Sequence, residues 1–212
     1  EYTLGLWHLD EGKGDTAADS GPGQRACRSR EGFQNKTMPR WAPGKWASAL
    51  EFADGSMIVP QSGAAFDGCK QLTVEAWVYF DEAPMHYAPI MEKNGVFVLR
   101  FNRGGENANI EFTYVSNGPD KSPEGKPGYN YAGAVGGPLS AGQWHHVAGV
   151  YDGEKGYVVI DGKISAGRGA PGSRLAVSPG HFMIGAGDKS RYGRFIVDEA
   201  RMSRVDRYVD PA

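Results

Sequence analysis

The strongest constraint on this chain is a series of short runs rich in β-branched and aromatic residues, each cut off by Gly, Pro, Asp or Ser. They are YTLGLWHL (2–9), SALEFA (48–53), MIVP (57–60), QLTVEAWVYF (71–80), PIMEK (89–93), GVFVLRFN (95–102), NIEFTYV (109–115), QWHHVAGVY (143–151), GYVVID (156–161), HFMIGA (181–186) and RFIVDEARM (194–202). No long segment places apolar residues at i, i+3, i+4 and i+7, so helical periodicity is missing. Strands without intervening helices exclude a parallel α/β sheet and leave two packed antiparallel sheets or a barrel.

Composition agrees. The 31 Gly and 13 Pro among 212 residues predict many turns, and the glycines have no triplet period, which removes collagen. That length suits one large all-β domain spanning residues 1–212. With 23 Lys+Arg against 25 Asp+Glu, no basic field for nucleic acid exists. The densest basic cluster, RACRSR (25–30), lacks interleaved aromatics and reads as a solvated strand edge. No apolar stretch approaches the ~20 residues of a membrane helix. The chain opens in strand-like sequence, EYTLGLWHLD, rather than a signal peptide, and reads as a piece of a longer secreted precursor. Two cysteines, Cys27 and Cys69, form one disulfide in an oxidising compartment or stay as two buried thiols; both readings stand.

Alternation sorts side chains onto faces. In LTVEAWVYF, Leu72, Val74, Ala76, Val78 and Phe80 share one face, and Thr73, Glu75, Trp77 and Tyr79 the other. Phe97, Leu99 and Phe101 oppose Val96, Val98, Arg100 and Asn102; Ile110, Phe112 and Tyr114 oppose Glu111 and Thr113. A greasy face backed by a mixed polar–aromatic face predicts a sheet with one side toward solvent. The Gly/Pro-rich segment 116–138 reads as an extended surface loop carrying Tyr129 and Tyr131. Trp77 and Trp144 read as core residues, and Trp41 and Trp46, flanking PGK, as anchors of the early loop.

One stretch is more specific. WHHVAGVYDGEKGYVVIDGK (144–163) resembles the signature hairpin of the laminin-G-like jelly rolls of the concanavalin A-like lectin/glucanase superfamily. Four further pieces stand in that family's order: GLWHLDEGKGDTAADSG (5–21), PGKWASALEFADG (43–55), LTVEAWVYF (72–80) and FIVDEARMSR (195–204). The resemblance implies an all-β, two-sheet antiparallel jelly-roll sandwich whose first and last strands are neighbours. It also bears on Asp198, a carboxylate in an apolar closing strand, which is costly unless compensated. It implies a structural Ca²⁺ site with Asp198 as the side-chain ligand and Asp10 and the Asp54-Gly55 turn contributing, Glu11 and Asp19 being outer candidates. An arginine partner such as Arg201 is the alternative.

The superfamily includes glucanases, which raises catalysis. Glycoside hydrolysis usually needs two carboxylates at a set separation. The pattern Glu-x-Asp-x-x-Glu is absent, Asp81-Glu82 would point to opposite faces, and Glu75 reads as a lone acid. Lyase-type residues occur (His145, Tyr151, Arg100, Asn102) without a lyase-like motif. The expectation is a non-catalytic module that binds glycan or polysaccharide outside the cell or at its surface, with no nucleic acid and no membrane insertion. The expected ligand-binding residues are Trp77, Tyr79, Arg100, Asn102, Glu111, Tyr129 and Tyr151, and KSRYGR (189–194) is a weaker candidate for an anionic sugar. A protein–protein adhesion or spacer module is the competing class; an inactive hydrolase relative is a third.

Overall fold

The computed structural model describes residues 2–31, 37–59, 66–84, 87–104, 107–117, 129–169, 174–185 and 193–208. Among them there is no helix, and so none long and apolar enough to cross a membrane. The strands are β1 (Thr3–Trp7), β2 (Thr16–Ala17), β3 (Cys27–Arg30), β4 (Arg40–Pro43), β5 (Ser48–Phe52), β6 (Ser56–Val59), β7 (Leu72–Tyr79), β8 (Pro89–Lys93) and β9 (Phe97–Gly104). They continue as β10 (Asn107–Asn117), β11 (Tyr129–Leu139), β12 (His145–Tyr151), β13 (Lys155–Ile160), β14 (Lys163–Ile164), β15 (Arg168–Gly169), β16 (Arg174–Leu175), β17 (Phe182–Gly185) and β18 (Phe195–Ser203).

They form two antiparallel sheets packed as a sandwich. The first runs β14-β13-β12-β7-β18-β5-β4, with β1 also on β18 and β15 on β13. The second runs β11-β10-β9-β8-β17-β6-β3-β2, with β16 on β10. The chain's opening and closing segments are neighbours as expected: Leu6 faces Arg201 and Trp7 faces Ala200. Between the sheets lie the alternate residues of each strand, including Val74, Ala76 and Val78 of β7, Leu99 and Phe101 of β9, and Ile110 and Phe112 of β10, all at most 1% exposed. Burying each of these side chains other than Ala76 is worth about 1.5–3 kcal/mol.

The signature hairpin has a physical reason for its letters. In β12, Val147, Gly149 and Tyr151 point inward, and Gly149 is small because the Phe112 ring of the opposite sheet lies against it. A Cβ there would come within 2.3 Å of Phe112. Asp161 (φ +49) and Gly162 (φ +80) make the left-handed pair that a tight two-residue turn requires. Asp161 also locks the strand pair: its Oδ2 is 2.7 Å from His145 Nδ1, and its Oδ1 accepts the His146 amide at 2.9 Å.

One expectation is corrected. Segment 116–138 is not all loop: residues 116–117 end β10, and 129–138 lie in β11, an edge strand paired along β10. Its glycines hid the strand, and Gly133 is needed because a Cβ would lie 2.8 Å from Thr113 of β10. Tyr129 and Tyr131 are thus strand residues, their side chains lying outside what is described. The two cysteines are not bonded to each other in this structure. Cys27 is free and buried in the core, and Cys69 is free and half-buried, its thiol contacting the Phe66 carbonyl at 3.9 Å.

Candidate functional site

Sequence alternation tells which residues share a face of a strand, not which sheet the strand joins, and here that difference decides the site. Trp77 and Tyr79 point outward from the first sheet, on β7. Arg100, Asn102 and Glu111 belong to β9 and β10 of the second. These two groups lie on opposite outer faces of the sandwich, so no single ligand touches both. Tyr151 faces neither: it is fully buried between the sheets, its ring 4.8 Å from that of Tyr114. Arg100 spends its charge locally, with Nε donating to Glu111 at 2.8 Å and the guanidinium 4.0 Å over the Tyr87 ring.

The outer face of the first sheet is the more open arrangement. Cross-strand register stacks its side chains in rows. Asp198, Trp77 and His146 form one row; Arg201 and Glu75 form the next. Over the first row passes the loop from Gly44 to Ala47, whose Trp46 is 50% exposed. Trp46 meets Trp77 edge-on, with centroids 5.6 Å apart, and Trp77 meets His146 edge-on at 5.3 Å. The Lys45 ammonium sits 4.0 Å over the Trp77 ring. Together with His8, Glu199, Arg201 and Arg207, these rings enclose a shallow groove of about 340 Å³.

The groove's charges are paired and held. Glu75 is not a lone acid: Arg207 Nε is 2.9 Å from Oε1, His146 Nε2 is 3.6 Å from Oε2, and the Tyr208 hydroxyl donates to Oε2. Glu199, in left-handed backbone conformation at φ +52, receives His8 Nδ1 at 2.9 Å. Burial holds the His146 imidazole below its ordinary pKa, with Glu75 pulling the other way. Burial likewise lifts the Tyr208 hydroxyl, beside Glu75. Arg207 and Tyr208 enter from the segment after β18, which crosses this face as its Arg207 amide and Val205 carbonyl bond Thr73. No periodicity in the sequence marks that crossing.

Asp198 is the hidden support. It is fully buried beneath the Gly44–Ala47 loop, and its Oδ2 accepts the amides of Lys45 at 2.9 Å and Trp46 at 3.2 Å. Burial pushes its pKa up to about 6 against the pull of those amides. Arg201 is not its partner; it turns to Thr3 and Glu75. Oδ1 is buried without a hydrogen bond of ordinary geometry, although the Glu199 amide also pulls on the carboxylate, and it is the oxygen a hard cation would use. Asp10 approaches the same loop, accepting the Ser48 amide at 3.2 Å. Asp54 does not join them, because it follows the far end of β5 while Ser48 begins it. Gly55 there is packed against Arg30, Thr37 and Pro39. Asp19 is filled by the amides of Leu6, Gly21 and Arg25, and Glu11 by that of Ala18. Among the described residues no three His, Cys, Asp or Glu side chains converge as a metal set.

Two other recesses stand out. One, of about 310 Å³, lies on the same outer face beside Tyr79. A second, of about 580 Å³, opens between β11 and the β13–β14 turn, and among the described residues no aromatic ring lines it. Most of KSRYGR falls outside the described residues; Arg194 bonds Glu51.

The model of a laminin-G-type family, described as concanavalin A-like lectin/glucanases superfamily, matches residues 53–207. The chain belongs to that superfamily. No curated protein sequence matches it closely enough to count as a relative. Among solved structures, it is similar to domain 4 of AbnA, a GH43 extracellular arabinanase from Geobacillus stearothermophilus in complex with arabinotriose. That likeness has TM-score 0.67 and 16% identity, over 95% of this chain and 91% of that one. The binding domain of Botulinum Neurotoxin DC, in complex with SialylT, gives TM-score 0.61 and 12% identity over 99% of this chain and 48% of that one. A Trypanosoma rangeli sialidase mutant displaying trans-sialidase activity gives 0.59 and 17%, over 95% of this chain but 30% of that one. At such identities these likenesses establish the jelly-roll fold, and fold does not fix function.

Proposed function

We propose that this chain is a non-catalytic, extracellular carbohydrate-binding module and that the Trp46 groove is its binding site. The observation that carries the reading is a half-exposed tryptophan set among planar polar side chains whose own partners hold them still. A ring of that kind offers rigid apolar area at low entropy cost, and fixed carboxylate and guanidinium groups orient hydroxyls. The arabinotriose complex of the arabinanase domain and the SialylT complex of the neurotoxin domain support a glycan ligand. The extracellular arabinanase to which the first of these domains belongs supports an extracellular setting, within a larger protein. Of the remaining exposed large apolar side chains among the described residues, Val135 and Ile164 share the 580 Å³ recess, while Tyr2, Met38 and Val177 lie outside its lining, so the pair is too small by itself to make an adhesion face. Glu75, tied to Arg207 and Tyr208, acts as a fixed hydrogen-bond acceptor rather than a general acid.

A structural Ca²⁺ belongs to the same proposal, on Asp198 Oδ1, with backbone carbonyls and water completing the shell and without Asp54. The test of function is a glycan array probed with the protein in calcium. Binding that falls about tenfold or more in Trp46→Ala supports the reading; a blank array removes it. Incubation with the bound glycan should release no reducing ends, and their appearance would make the module an enzyme.

A further inference from the structure

The 310 Å³ depression beside Tyr79 is unused by the reading above, yet it lies one row away on the same face. Ile196 of β18 faces Glu51 on one side and Tyr79 on the other, making a row Glu51–Ile196–Tyr79. The neighbouring row is Asp198–Trp77–His146. Tyr79 and Trp77 are two residues apart on β7, so the rows are about 7 Å apart along the strand. The Tyr79 ring leans on Trp144 at 5.6 Å between centroids, and its hydroxyl donates to Asp81 at 2.9 Å, which fixes the ring's orientation. Glu51, Asp81 and Glu82 line the depression, with Arg194 bound to Glu51.

We propose that this depression is a second subsite for the ligand of the Trp46 groove, and that the ligand is therefore a neutral glycan chain running along β7, not one terminal sugar. The inference rests on the glycan reading of that groove. Two depressions on one face, each with a ring whose orientation is fixed by a partner, match successive units of a chain. Three carboxylates against one guanidinium accept hydrogen bonds from hydroxyls and repel a carboxylated or sulfated unit at this end. That sets the charge of the ligand as well as its length.

The test is titration calorimetry with linear neutral arabino-, xylo-, gluco- and galacto-oligosaccharides of one to four units, and with a uronic-acid trimer. In the series that binds, affinity should rise at least about tenfold, roughly 1.4 kcal/mol, from one unit to three. Tyr79→Ala and, separately, Glu82→Gln should flatten that rise while leaving the affinity for one unit unchanged. The uronic-acid trimer should bind no better than a single neutral unit. A monosaccharide that binds as tightly as its trimer, a rise that survives both variants, or preference for the acidic trimer would overturn the subsite. Absence of binding in every series would instead overturn the glycan reading itself.

Discussion

Asp198 shows how one side chain carries a surface several ångströms away. Its carboxylate is buried in an apolar strand because the amides of Lys45 and Trp46 need an acceptor, and that bond holds the Trp46 loop over the sheet. Its folded pKa of about 6 lies above the ordinary value for an aspartate, about 3.9. The native state therefore holds this proton more tightly than the unfolded chain does. The stability it contributes is complete below pH ~4 and is lost as pH rises through ~6, by up to about 3 kcal/mol. In chelator, melting temperature should fall between pH 5 and 7.5, and Asp198→Asn, which keeps an acceptor for the amides, should flatten that slope. Parallel curves would contradict this assignment. With calcium, the wild type should regain melting temperature at pH 7.5 and Asp198→Asn should not; equal responses would remove the ion from Asp198. Lys93 is a second buried charge, its Nζ donating to the carbonyls of Ser178 and Gly180 at 3.0 and 2.8 Å and facing Asp67 at 3.3 Å. Lys93→Met leaves Asp67 without its cation and should cost about 3–5 kcal/mol in denaturant unfolding; a loss under 1 kcal/mol would show that the cross-link is idle.

At the scale of elements, the strands that alternate cleanly were legible and the glycine-rich ones were not. β7 and β12 fall inside the runs legible in the sequence, and β9 overruns its own by two residues, because alternate residues of these strands pack inward. β11 looks like loop in the sequence because Gly133 and Gly137 occupy positions where neighbours leave no room for a Cβ and Gly136 one where the fit would be tight, and a sequence does not display that crowding. β12 displays both lessons. Its Gly149 belongs to a recognisable motif, and only the packing of Phe112 explains it. Gly149→Ala should destabilise by about 1–3 kcal/mol through overpacking, read from the shift in urea midpoint. An unchanged midpoint would mean that the sheets separate there at no cost.

For the whole molecule, the sandwich and the adjacency of its first and last strands followed from five motifs in order, since motif order fixes topology. The binding residues did not follow, because assigning Trp77 and Tyr79 to one sheet and Arg100, Asn102 and Glu111 to the other takes tertiary structure. The sequence around PGKW suggests an anchor for Trp46, and nothing near it in the chain reveals that Asp198, 152 residues later, leaves the ring half-exposed. The two outer faces now make opposed predictions, which one paired measurement separates. Glycan affinity should be measured for the wild type, Trp46→Ala and Arg100→Ala, each checked for an unchanged fold by circular dichroism. The account predicts that Trp46→Ala loses binding about tenfold or more while Arg100→Ala binds like the wild type. Retained binding in Trp46→Ala with loss in Arg100→Ala would place the ligand on the opposite sheet and contradict it.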